Sequence, residues 1–358
     1  MSMRWCLLLA ALGAVADGRT HEASSAAAAA GQVRLNQLGF LPGAQKLAVV
    51  ESDEARAFEV LDARGEVVLR GTTTAPARWE PAARDAAIAD LGALAAPGQY
   101  RVRVRGLPLS DPFPVDAQAY AALADASLKS FYLIRAGTPL EPAHAGRFAR
   151  AAGHPDDAVE IHASAASPGR PAGTVVSAPA GWYDAGDYNK YVVNSGITTW
   201  TLLAAYEHFP AFFRGRELGI PESGNGVPDI LDEAWWNLRW MLAMQDPGDG
   251  GVYHKLTNLR FDGMVMPEQA RERRYMVGRS TAAALDFAAV MAAASRIYAQ
   301  YEAQFPGQPA RMRVAAEAAW RWAQANPGAV YRPPATPAPT AMRSWTTNSH
   351  GPRPSCTC

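Results

Sequence analysis

The sequence predicts a two-part protein, an all-β sandwich followed by a mostly helical module. Three observations predict it. Residues 32–115 carry short runs rich in β-formers, with turn signals recurring about every 8–12 residues. From Ala117 onward, apolar residues recur at helical spacing instead. The chain has 358 residues, 49% apolar and 19% charged, an ordinary globular composition long enough for two or three domains.

The chain starts with a leader-like segment. Arg4 supplies a positive charge, Trp5 to Val15 is a short apolar run, and Ala14-Val15-Ala16 offers a small-x-small cleavage site. Residues 1–16 therefore read as a signal peptide, and the mature protein is expected to be secreted or periplasmic. No later stretch reads as long enough for a membrane span. Residues 17–31, with five consecutive alanines from Ala26, read as a tether. Lys+Arg and Asp+Glu both number 34, which argues against a nucleic-acid partner. Cys6, Cys356 and Cys358 are the only cysteines, so the body holds neither a disulfide framework nor a cysteine-type zinc site.

In the β module, Lys46–Val50, Phe58–Leu61 and Glu66–Arg70 are predicted strands. Tyr100–Val104 alternates apolar and basic residues, the pattern of a half-buried strand. Predicted helices follow over Ala117–Leu133, Ile197–His208, Pro228–Met244, Ser280–Tyr301 and Met312–Ala325. No strand signal of comparable strength separates them. Function is expected on the long Gly- and Pro-bearing loops between these helices.

Three clusters can carry chemistry. The densest is Gly181–Tyr191, GWYDAGDYNKY, where Asp184 and Asp187 flank Gly186 between aromatic residues. Glycine freedom at 186 would let both carboxylates converge on one water, which one of them deprotonates. Flanking rings can stack on sugar C–H faces. A capped turn or a metal loop fits the same residues. In the second cluster, Pro228 precedes Asp229, Asp232 and Glu233, acids that suit the start of a helix. Trp236 and Trp240 are four apart and are predicted to pack on one face. The third cluster, Gly250–Lys255, places His254 and Lys255 on a Gly-rich loop, where both can bond sugar hydroxyls.

These stretches resemble glycoside hydrolase family 9, in the subgroup with an N-terminal immunoglobulin-like module. GWYDAGDYNKYVVNSG over Gly181–Gly196 looks like the catalytic-base segment. Glu222–Gln245 and Gly250–Thr257 look like the next two blocks in order, and VRLNQLGFLP over Val33–Pro42 looks like the start of the sandwich. The resemblance implies an immunoglobulin-like sandwich over 32–115 and an (α/α)6 barrel from 117. It implies inverting hydrolysis of β-1,4-glucans such as cellulose, with a β-glucan as partner. Asp187 would be the general base and Asp184 would help hold the water. Trp182, Tyr183 and Tyr188 would shape sugar subsites, and His254 would contact substrate. A non-catalytic glycan-binding protein, or a hydrolase of chitin-derived oligosaccharides, remains the competing reading. No cofactor is implied, and calcium is left open.

Two departures from the family pattern matter. Some relatives hold zinc through two Cys and two His, but Ala136 and Gly153 stand here where the cysteines would be. No metal is expected, and His144, His154 and His162 read as surface or loop histidines. The second departure is the tail. Residues 333–358 contain no Asp or Glu, six Pro and two Cys. The family pattern calls there for a helical, acid-bearing segment, which a one-base shift of GC-rich codons would restore. The tail therefore reads as out of frame. Residues 117–332 read as about the first half of the barrel, without the distant general acid. Poor folding and no activity are expected of such a chain.

Overall fold

The computed structural model describes residues 31–334. The leader, all but the last residue of the tether and nearly all of the tail lie outside them. The chain divides into two compact units, with the boundary between Ala124 and Asp125.

The first unit is built of two four-stranded sheets. Its strands are β1 (Val33–Arg34), β2 (Leu47–Glu51), β3 (Ala57–Leu61), β4 (Val67–Thr72), β5 (Ala77–Trp79), β6 (Arg84–Asp90), β7 (Gly98–Val104) and β8 (Phe113–Val115). One sheet has the order β1-β2-β6-β5, the other β4-β3-β7-β8. The alternation in β7 is realised: Tyr100, Val102 and Val104 are buried while Arg101 and Arg103 face out. The inward residues of both sheets, among them Ala48, Val50, Val60, Val102 and Phe113, form one apolar core. Glu59 lies opposite both Arg70 and Arg103 in register and accepts hydrogen bonds from both. The immunoglobulin-like expectation holds as a two-sheet sandwich.

The second unit holds five long helices among the described residues. They are α1 (Ala121–Leu133, whose first turn belongs to the first unit), α2 (Val192–His208), α3 (Asp229–Ala243), α4 (Thr281–Tyr298) and α5 (Gln308–Ala325). Each matches a predicted helix. α2 begins five residues early and α5 four, because burial extends beyond the clearest periodic stretch. Ser280 caps α4, its Oγ accepting from the Ala283 N–H at 3.1 Å. One core joins α2 to α5, with Trp240 and Tyr298 fully buried. Thr281–Tyr301 has the length and composition of a membrane span, contrary to expectation. Half of that window is buried, as in the core helix of a soluble fold.

The sequence reading missed a sheet here. Five strands pair in the order β10-β9-β13-β12-β11. They are β9 (Val159–Ile161), β10 (Val175–Val176), β11 (Lys190–Tyr191), β12 (Tyr253–Asn258) and β13 (Arg274–Arg279). Three have two or three residues, too short to show a period, and their partners are distant in sequence. The supposed Gly-rich loop at Tyr253–Lys255 is thus a strand. Its pairing sets Tyr191 opposite Lys255 and so builds the site.

Candidate active site

The site grows from the turn between Gly181 and β11. Gly181 has φ +81°, and a Cβ there would lie 2.8 Å from Trp240 Cγ. Glycine is therefore required where the chain crosses the buried face of α3. Trp236 Nε1 donates to the Gly181 carbonyl at 3.1 Å, so Trp236 and Trp240 do share a packed face. Gly186 does not play the part expected of it. The left-handed residue of the turn is Tyr188, at φ +56°. The Arg274 guanidinium holds it, Nη1 donating to the Tyr188 carbonyl at 2.8 Å.

Asp187 is half-buried and fully hydrogen-bonded on one side. Its Oδ2 accepts from Tyr191 Oη at 2.7 Å and from Asn189 Nδ2 at 3.0 Å. Its Oδ1 accepts from the Asn189 N–H at 3.2 Å. Burial opposes the charge, but these donors and the nearby Lys255 outweigh it and hold the carboxyl below its usual range. Asp184 is exposed, and its Oδ1 accepts from Asn194 Nδ2 at 2.8 Å. Lys255 stands 4.3 Å from the Tyr191 ring centroid and its charge acts on both carboxylates.

A cavity of about 380 Å³ opens beside Asp184, which lines it together with Ile134, Phe148, Tyr183, Tyr188 and Met266. Phe148 is 53% exposed and Met266 48%, so the lining carries exposed apolar surface. Tyr188 is half-buried here, its hydroxyl donating to the Val265 carbonyl.

Three expectations need correction. Trp182 is 4% exposed and packs in the core against Phe131, its Nε1 donating to Glu233 at 3.4 Å, so it offers no face to a sugar. His254 lies on β12 next to Lys255. Side chains alternate along a strand, so the lysine faces the carboxylates and the histidine faces away. His254 stacks on Tyr331 at 4.0 Å and bonds Ser280 Oγ through Nδ1 at 2.8 Å. His154 stands in a loop, but not at the surface. It is buried, and its Nδ1 lies 2.9 Å from Tyr183 Oη. The Tyr183 proton goes to the Gly153 carbonyl at 3.0 Å, so His154 is assigned as the donor. Burial lowers its pKa to about 4. His144 and His162 are half-buried to exposed and bond Gly219 O and Ser164 Oγ. Among the described residues, no three His, Cys, Asp or Glu side chains gather as a metal site.

The acids at the start of α3 also do more than complement its dipole. Asp229 Oδ2 accepts from the Leu218 N–H and Ser223 Oγ, both at 2.6 Å. Glu233 pairs with buried Arg135 at 2.6 Å, and Arg135 also grips Glu222. Burial pushes both Asp232 and Glu233 up to about 7.

Sequence reasoning missed Asn189, Tyr191 and Arg274, and read Lys255 as a ligand of sugar hydroxyls rather than as the cation beside the two acids. The first two stand two and four positions past Asp187 in the motif itself. No local signal connects the others to it.

Comparison with known proteins places these features. Residues 120–346 match the family model described as glycosyl hydrolase family 9. Residues 28–108 match that of the cellulase N-terminal ig-like domain. The chain is 49% identical over 302 residues to the xyloglucan-specific endo-beta-1,4-glucanase BoGH9A of Bacteroides ovatus, covering 84% of this chain and 51% of that protein. It is 33% identical over 303 residues to endoglucanase D of Acetivibrio thermocellus, covering 84% and 47%. The solved structure of a Bacteroides ovatus GH9 protein superposes with a TM-score of 0.80 at 48% identity, over 84% of this chain and 55% of that one. The chain spans about half the length of the curated relatives it matches.

Proposed function

This chain belongs to glycosyl hydrolase family 9, and on that premise we propose that it carries the water-activating side of an inverting β-1,4-glucan hydrolase. The observation that carries the reading is the state of Asp187. It is a half-buried carboxylate kept ionised by Tyr191, Asn189 and Lys255, on the same turn as Asp184 and Tyr188, which line an open cavity with exposed apolar side chains. Asp187 would accept a proton from a water that Asp184 helps to hold. The water oxygen bonds to the anomeric carbon as the glycosidic C–O bond breaks, its electron pair leaving with the aglycone oxygen. Tyr188 and the exposed Phe148 and Met266 offer flat or apolar surface to a sugar ring. The names of the relatives support a β-1,4-glucan substrate, with xyloglucan among the candidates. The leader-like start supports secretion or export to the periplasm.

Inversion also needs a general acid about 6.5–9.5 Å from the base. None of the described carboxylates is assigned that role. We therefore expect no measurable turnover of native β-glucan by the 358-residue chain. A substrate whose leaving group needs no proton isolates the base step. The missing acid removes turnover of native glucan but not this step, so the folded fraction of the chain should hydrolyse 2,4-dinitrophenyl β-cellobioside to the α-hemiacetal, and D187A should slow it by about 10²–10⁴-fold. Cello-oligosaccharide binding without any hydrolysis that depends on Asp187 would instead favour a glycan-binding protein.

A further inference from the structure

We infer that Asn189 is the positioning residue of the base and that Oδ1 of Asp187 is the oxygen that takes the proton. This rests on the reading of Asp187 as base.

Every polar group of Asn189 is engaged, and the side chain is fully buried. Its main-chain N–H goes to Asp187 Oδ1 and its Nδ2 to Asp187 Oδ2. Its main-chain carbonyl accepts from the Asp184 N–H at 3.0 Å, which ties the two acids to one turn. Its Oδ1 accepts from the Asn258 N–H at 3.1 Å and from Arg274 Nη1 at 3.3 Å. An amide can flip, but both donors here demand the oxygen, so only Nδ2 is left to face Asp187. Arg274 is in turn fixed by Asp156, with Nε–Oδ1 at 3.1 Å, and Asp156 also pairs with buried Lys190 at 2.8 Å. A rigid ion cluster therefore sets the amide, and the amide sets the carboxylate.

The donors on Asp187 are unequal. Oδ2 receives two side-chain donors, Tyr191 and Asn189, and a carboxylate oxygen accepts about two. Among the described residues, Oδ1 receives only the Asn189 N–H and keeps an accepting site. The proton from water goes to that site, while Oδ2 stays anchored.

The 358-residue chain itself provides the test, labelled with ¹³C at Asp carboxyls and ¹⁵N at Asn side chains. The Asn189 amide signals should titrate with the same midpoint as the Asp187 carboxyl. N189D, nearly isosteric, sets a second carboxylate against the first and should raise that midpoint by about one unit or more. The acid limb of the dinitrophenyl cellobioside pH–rate profile should move upward with it, a shift that loss of packing alone does not cause. Asn189 amide signals that stay flat through the Asp187 titration would overturn the inference, whether or not N189D folds. So would a folded N189D with an unmoved midpoint. Failure of the parent reading looks different: the resonances stay coupled, but hydrolysis does not depend on Asp187.

Discussion

Two histidines of the second unit, His154 and His254, are kept neutral. Burial lowers each to about 4, with Arg274 beside the first and Lys255 beside the second. The unfolded chain takes up protons at these rings below about pH 6.5 that the folded chain refuses. Their contribution is therefore lost as pH falls from about 6.5 towards 4. Asp232 and Glu233, raised to about 7, act in the opposite sense over the same range, because their folded forms bind protons first. The net slope mixes the two effects, but a single variant separates them. His254→Phe keeps a ring on Tyr331 and removes one titrating group. It should lower stability at pH 7 by about 1 kcal/mol through the lost Ser280 bond. It should also make the decline of Tm below pH 6.5 shallower than in the parent. Parallel Tm–pH curves would show that His254 does not refuse the proton. At this scale the motif was legible only in part. Asp184 and Asp187 could be singled out because two acids within four residues are conspicuous. The roles of Asn189 and Tyr191 could not, since a side-chain hydrogen bond depends on which way a turn folds.

The elements that frame the site meet at Gly181. Its left-handed backbone lies against Trp240 and Lys190, with 2.8 Å and 3.0 Å left for a Cβ. Gly181→Ala adds both a disfavoured φ and a contact with fully buried neighbours that cannot retreat. It should cost about 1–3 kcal/mol, read as a lowered urea midpoint with unchanged slope. A midpoint within error of the parent would mean the turn relaxes freely. The long helices were readable because a 3.6-residue period repeats several times within each of them. The small sheet was not, because β9, β10 and β11 are too short to show any period. Their pairing with β12 and β13 is settled between distant segments.

Among the described residues of the second unit, one face carries exposed apolar surface. A groove of about 600 Å³ runs between α4 and α5, lined by Leu285, Ala289, Ala292, Ala316 and Trp320. Leu285 is 40% exposed and Trp320 52%. Contiguous apolar surface of this kind promotes association. The chain should self-associate at high concentration, and L285K with W320K should return it towards monomer in sedimentation velocity. Neither position is buried, so the stability change should stay within about 0.5 kcal/mol per site. An unchanged sedimentation profile would remove the groove as the cause.

By itself the sequence determined the order of the two units, the half-buried alternation of Tyr100–Val104, the positions of the five long helices, and the turn that bears the acids. All of these follow from local periodicity and composition. Only the tertiary structure decided that Trp182 belongs to the core, that Lys255 rather than His254 faces the carboxylates, and that Arg274 orients the amide beside Asp187. Those outcomes depend on register and burial, and both are set by hydrogen bonds and packing between segments that no local pattern relates.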